Sequence, residues 1–110
     1  MKIAACPFTT AALSSLVPTA NTGETGRSLA RTFEIMEMRL RLVEYEAGFL
    51  ADHWCDRGHV FYLISGDVTV ELQDGRNFEL SAGNAFFVSD FGDAAHRVKS
   101  RGGGVAFIFD

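Results

Sequence analysis

The sequence predicts one all-β domain folded as a small barrel, and three observations carry that reading. At 110 residues the chain has room for one domain around one hydrophobic core. Ten phenylalanines and eleven glycines against two prolines suit short strands joined by tight turns better than a helical bundle. Turn residues also recur at intervals of about 8–12 residues between short apolar runs, the spacing of a sandwich or barrel.

Taken in order, residues 1–28 read as an amino-terminal arm rich in Ala, Thr, Ser and Gly, with the barrel over 29–110. Within the arm, 11–17 has room for a short helical turn, and Gly23-Glu24-Thr25-Gly26 signals a loop. Strands are predicted at 29–33 and 38–45, the second alternating Met38, Leu40 and Leu42 with Arg39 and Arg41. Gly48 interrupts. A strand at 59–64, a turn at Ser65-Gly66-Asp67 and a strand at 68–72 follow. Asp74-Gly75 is a hairpin signal leading to a strand at 78–80. Ala82-Gly83-Asn84 turns the chain into 85–88, a polar loop at 90–95 leads to 96–99, and Gly102-Gly103-Gly104 precedes a last strand at 105–109. Phe61, Leu63, Phe86, Phe87, Phe107 and Phe109 are the expected core.

The formal charge of −4 argues against nucleic acid as a partner, because that surface rewards clustered Lys and Arg. Arg27, Arg31, Arg39 and Arg41 are interleaved with acidic residues, which reads as a solvated strand face. Arg31, Arg41 and Tyr45 have the chemistry to hold an anion at a pocket mouth, but surface exposure is the expectation for them. No apolar run approaches the ~20 residues that span a bilayer, so no membrane segment is expected. Lys2, Ile3-Ala4-Ala5 and Ala11-Ala12-Leu13 have the look of an export signal, and Ile3-Ala4-Ala5-Cys6 that of a lipoprotein box. Pro7, Thr9 and Thr10 break that stretch short of the usual length, which makes a cytoplasmic protein the expectation. Cys6 and Cys55 are expected to be free thiols in a reduced compartment.

The chemistry concentrates in Asp52-His53-Trp54-Cys55-Asp56-Arg57-Gly58-His59. On a strand, alternate residues share a face, so His53 and Cys55 are expected on one side, with Asp52 and Trp54 on the other. Asp56-Arg57-Gly58 has the composition of a three-residue hairpin loop, which would set Cys55 and His59 opposite one another, with Cβ atoms about 5 Å apart. Of the three histidines only His96 is remote in sequence, opening a later strand. Imidazole and thiolate are the donors that zinc, copper, nickel and iron favour.

On these residues the chain resembles the cupin family. The run from Gly48 to Gly66 looks like the first cupin motif, with His53 and Cys55 at its two histidine positions and His59 at its glutamate. Residues 83–96 resemble the second motif, with Gly83 at its glycine and His96 at its histidine; Ser81 stands where a proline is usual. The Gly-Glu-Thr-Gly segment, 51–55 and 57–60 resemble more closely a group of small bacterial cupin-fold proteins named for an Asp-His-Cys-Trp-type stretch. The resemblance implies a cupin jelly-roll barrel, or double-stranded β-helix, holding a divalent transition metal on His53, Cys55, His59 and His96. It also implies a homodimer, paired through sheet edges or exchanged amino-terminal strands. A thiol and an extra imidazole in place of a histidine and a carboxylate move the preference away from manganese and towards zinc, copper or ferrous iron, and the metal expected is zinc, iron, nickel or copper.

The function expected is a small metal-binding cupin that acts on or binds a small organic molecule inside the barrel. The alternative is a non-catalytic ligand-binding or sensor module without metal. A structural dimer module is a third reading, and Cys55 is either a packed structural thiol or a reactive one activated by its histidine neighbours. Phe61 and Leu63 share the alternation of His59 and are expected to line the same interior, while Trp54 and Tyr62 point away, towards a subunit contact.

Overall fold

The computed structural model describes Ile3 and residues 5–110, so Lys2 and Ala4 of the leader-like segment lie outside the described residues. Among the described residues, one 3-10 turn at Leu13–Ser15 precedes nine strands. These are β1 (Thr19–Thr22), β2 (Arg27–Ile35), β3 (Met38–Tyr45), β4 (Phe49–Leu50), β5 (His59–Leu72), β6 (Asn77–Ser81), β7 (Ala85–Val88), β8 (His96–Ser100) and β9 (Gly104–Phe109). Every pairing is antiparallel. One sheet runs β1-β2-β3-β9-β5-β7 and the other β6-β5-β8-β4. The sheet begins at Thr19, inside the segment expected to be an arm, because β1 pairs with β2 along its whole length.

β5 belongs to both sheets and corrects the expected turn at Ser65-Gly66-Asp67. The chain stays extended there through a bulge between Leu63 and Ser65. Buried side chains run Phe61, Leu63, then Val68, Val70, so the extra residue reverses the odd–even phase as the strand crosses between sheets. Without it, one half of β5 would turn its apolar side chains to solvent. Gly66 adopts φ +82, and a side chain there would overlap the Gly103 carbonyl oxygen and stand 2.5 Å from Gly104 Cα. The glycines at 66 and 103–104 thus let two backbones meet at the corner of the barrel. The Asp74-Gly75 signal does make a hairpin: Leu72 N–H donates to Arg76 O at 2.8 Å and Gly75 takes φ +100.

Val43, Phe61, Leu63, Val68, Val70, Ala106 and Ile108 form the core. Phe61 and Leu63 are buried as expected, and Phe86 packs against them. Phe87 is not core but 83% exposed, and on β9 the buried face is Ala106 and Ile108, which leaves Phe107 and Phe109 on the outer side. β3 shows the same inversion. Val43 is buried, so Arg39, Arg41 and Tyr45 share the interior face while Leu40 and Leu42 face out. The arginine face expected to be solvated lines the barrel. Arg31 does lie on the outer face, where its Nε donates to Leu16 O at 3.1 Å and its Nη1 to Glu44 at 3.0 Å. Among the described residues, no helix is long and apolar enough to cross a membrane.

Candidate metal centre

The barrel holds a cavity of about 690 Å³, whose lining includes Cys55, His59, His96, Arg39, Arg41 and Tyr45. His59 opens β5 on the same face as Phe61. His96 opens β8 and is 5% exposed. Its ring is wedged between that of His59, 5.1 Å away and nearly perpendicular, and that of Phe86 at 5.6 Å. Cys55 arrives differently from the expected hairpin. Its backbone pairs with His96, not His59: Cys55 N–H donates to His96 O at 2.7 Å and His96 N–H returns the bond at 2.8 Å.

The intervening 56–58 segment is held from outside. Phe91 N–H donates to Asp56 O at 2.9 Å, and Gly58 N–H to the Asp90 carboxylate at 2.5 Å. This clamp brings Cys55 Sγ to 3.5 Å from His59 Nε2. One donor atom each from Cys55, His59 and His96 lies within 4.8 Å of the others.

The structure does not bring His53 into that group. Its side chain is 77% exposed and its Nδ1 sits 2.7 Å from Asp52. Residues 51–58 do not form the regular strand that would have set His53 and Cys55 on one face; Cys55 makes only an isolated bridge. Trp54 is covered by the Arg97 guanidinium, 4.4 Å from its ring, and Arg97 in turn donates to Glu71 at 2.7 Å. Cys6 and Cys55 are both free thiols.

The residue that the sequence reading missed is Asp110. Following β9, it continues the inward series of Ala106 and Ile108, and that alternation was the available signal. Its backbone exchanges hydrogen bonds with Arg39 at 2.6 and 3.1 Å. Its carboxylate is 4% exposed and accepts from Arg39 Nε at 2.9 Å, Arg39 Nη2 at 2.7 Å, Arg41 Nη2 at 3.1 Å and His59 Nδ1 at 2.9 Å. Burial alone would raise its carboxyl; the Arg39 hydrogen bonds and the two guanidinium charges outweigh that and hold it below the ordinary carboxylate range.

A proton on His59 Nδ1, held by Asp110, leaves Nε2 as a lone pair aimed at Cys55 Sγ. Burial lowers the pKa of His59 with only partial opposition from Asp110. Burial, helped by the nearby His59, lowers that of His96 to about 4. Both imidazoles are therefore neutral near pH 7, the state in which a histidine ligates. Two imidazoles and a thiol with an oriented histidine fit a transition metal of the zinc, iron, nickel or copper kind. A separate concavity of about 730 Å³, bordered by Thr25, Asp67, Glu79 and Lys99, includes none of these donors.

No family model matches the sequence, and no curated protein does. Solved structures do match. Ectoine synthase from P. lautus aligns with a TM-score of 0.69 at 15% identity, over 93% of this chain and 76% of that one. An RmlC-like cupin from Shewanella frigidimarina aligns with a TM-score of 0.63 at 20% identity, over 87% of this chain and 83% of that one. A cupin-2 domain containing protein from the same organism gives 0.59 at 20% identity, over 74% and 78%. The narrower likeness to the Asp-His-Cys-Trp group rests on the sequence alone. What these structures share with the chain is architecture, a curled antiparallel jelly roll: the chain has the cupin fold.

Proposed function

We propose that this protein is a small metal-binding cupin whose centre, built on Cys55, His59 and His96, works on or holds a small organic molecule in the adjoining cavity. The observation that carries it is the convergence of three ligand-type atoms within 4.8 Å, one of them oriented by a buried carboxylate. Three protein donors would leave a tetrahedral ion one position for a molecule from the cavity, whereas four would close it. Bound there, the metal supplies a Lewis acid. The chain's own residues do the rest: Asp110 sets the His59 tautomer, Phe61 and Phe86 exclude water from one wall, and Arg39 and Arg41 place positive charge beside the centre. Elemental analysis of untagged protein purified without chelator tests the reading. Near-stoichiometric zinc, iron, nickel or copper, lost in Cys55→Ser and His96→Ala, is the expected result. A wild type that takes up no metal even on reconstitution sinks it.

One observation favours a second reading. The two ring nitrogens of His59 reach Cys55 Sγ at 3.5 Å and Asp110 at 2.9 Å, the connectivity of nucleophile, base and orienting group. A metal-free protein whose Cys55 alkylates far faster than Cys6, and slows in Asp110→Asn, would support it. As to setting, we place the protein in the cytoplasm and as a homodimer. The free cysteines support the first, and the exposed Tyr62, Ile64 and Phe87 on the outer sheet face support the second. Sedimentation of the wild type against Phe87→Lys tests the pairing.

A further inference from the structure

Arg41 is under-partnered for a side chain that is only 21% exposed. Its Nη2 reaches Asp110 Oδ2 at 3.1 Å, but that oxygen already accepts from Arg39 Nη2 and His59 Nδ1 at shorter range. Arg39 holds both carboxylate oxygens in a two-pronged pair, so Asp110 is largely committed to it. Arg41 Nε is buried with no partner at all. Two guanidiniums thus face one carboxylate. The other charged residues lining the cavity do not alter that balance: Arg97 is engaged by Glu71, and Asp52 and Arg57 lie exposed at the rim with opposite charges. A half-buried guanidinium that has only a shared counter-ion is unfavourably placed, and an anion entering the cavity would supply a second.

We infer that the cavity takes a small organic carboxylate, its negative group held by Arg41 beside the candidate metal centre. The inference rests on reading the cavity as a small-molecule site. A guanidinium with free donors matches a carboxylate through parallel N–H···O bonds. In the metal-free cavity the two guanidiniums exceed the Asp110 carboxylate by one positive charge, which suits a carboxylate better than a phosphate carrying close to two negative charges. Asp110 Oδ2 is shared by Arg41 and His59, so an anion on Arg41 sits one carboxylate away from the metal-binding imidazole. Phe61, Phe86 and Ile108 offer the hydrocarbon part of such a molecule an apolar wall. Tyr45 lies further down the same cavity; burial pushes its phenol above the ordinary range despite the Arg41 charge, which keeps it a hydrogen-bond donor.

Calorimetric titration of the full chain with butyrate, butyramide and inorganic phosphate tests this, in metal-free and zinc-loaded protein. Butyrate is expected to bind both forms at least tenfold more tightly than its uncharged isostere butyramide. Arg41→Gln should weaken butyrate at least tenfold, and Arg41→Lys should recover part of the loss. Butyramide binding as well as butyrate, Arg41→Gln binding as well as wild type, or phosphate outcompeting butyrate would each overturn the inference. If Arg41→Gln does not fold, the contrast between butyrate and butyramide in the wild type decides. Zinc uptake without butyrate binding ends this inference and spares the metal centre. Butyrate binding without uptake of any metal does the reverse.

Discussion

Asp110 Oδ2 stands 2.9 Å from Nδ1 of His59, on the interior face of adjacent strands, with Arg39 closing the carboxylate from the other side. That bond fixes which nitrogen of His59 is free. Replacing the carboxylate by an amide keeps the shape but removes the charge and allows the ring to turn. Asp110→Asn is expected to weaken zinc binding about 10–100-fold, the usual cost of losing an orienting carboxylate. Competition with a chromophoric chelator measures it. An unchanged affinity would mean that Asp110 serves only the arginines.

His53 and His96 separate a sequence motif from the geometry. His53→Ala removes a solvated side chain and is expected to change stability by less than about 0.5 kcal/mol, with metal stoichiometry intact. His96→Ala removes a proposed ligand and a ring that packs against both His59 and Phe86, so metal should be lost and stability should fall. Paired elemental analysis and urea denaturation check both. Loss of metal in His53→Ala would restore the four-ligand set that the sequence implied.

The stability of the metal-free protein should depend on pH in a direction set by these histidines. His96 titrates at about 4 in the folded chain and near 6.5 when unfolded, and His59 is lowered in the same sense. Between those values the unfolded chain binds protons that the folded chain refuses, so the stabilisation is complete above about pH 6.5 and is lost as pH falls towards 4. Urea midpoints taken with chelator at pH 7.5, 6 and 5 should decline, and decline less steeply in His96→Asn. A flat profile in the wild type would contradict the burial of these rings.

The strand positions were legible because alternation and turn chemistry are local. The runs at 38–45, 85–88 and 105–109 appear almost where the pattern put them. Which face of each strand points inward was less legible. Alternation groups Arg39 with Arg41 and Leu40 with Leu42, but it cannot say which set lines a barrel whose interior is partly polar. The same limit misassigned Phe87, Phe107 and Phe109. Cys55, His59 and His96 could be picked from the sequence by donor chemistry. The strand rule, applied to irregular backbone, grouped His53 with them, whereas the structure leaves its side chain exposed and apart from that group. Asp110 was overlooked because its role arises only when β9 lies between β3 and β5, a pairing across most of the chain.

The corner glycine of β5 offers a test of the fold that is independent of the metal. Gly66 and Gly75 both hold positive φ, at +82 and +100, so alanine at either carries the strain of a left-handed residue, about 1–2 kcal/mol. They differ in what surrounds them: nothing lies within 4 Å of a side chain at Gly75, whereas one at Gly66 would run into the Gly103 and Gly104 backbone. Backbone cannot rotate aside as a side chain can, so relief requires β5 and β9 to separate beside Leu63 and Ala106, both 0% exposed. Gly66→Ala is therefore expected to cost several kcal/mol, on the order of a large core truncation, and Gly75→Ala only the strain. Chemical denaturation of the two variants side by side measures the gap. Equal costs would mean that β5 does not cross between the sheets through a backbone contact at Gly66.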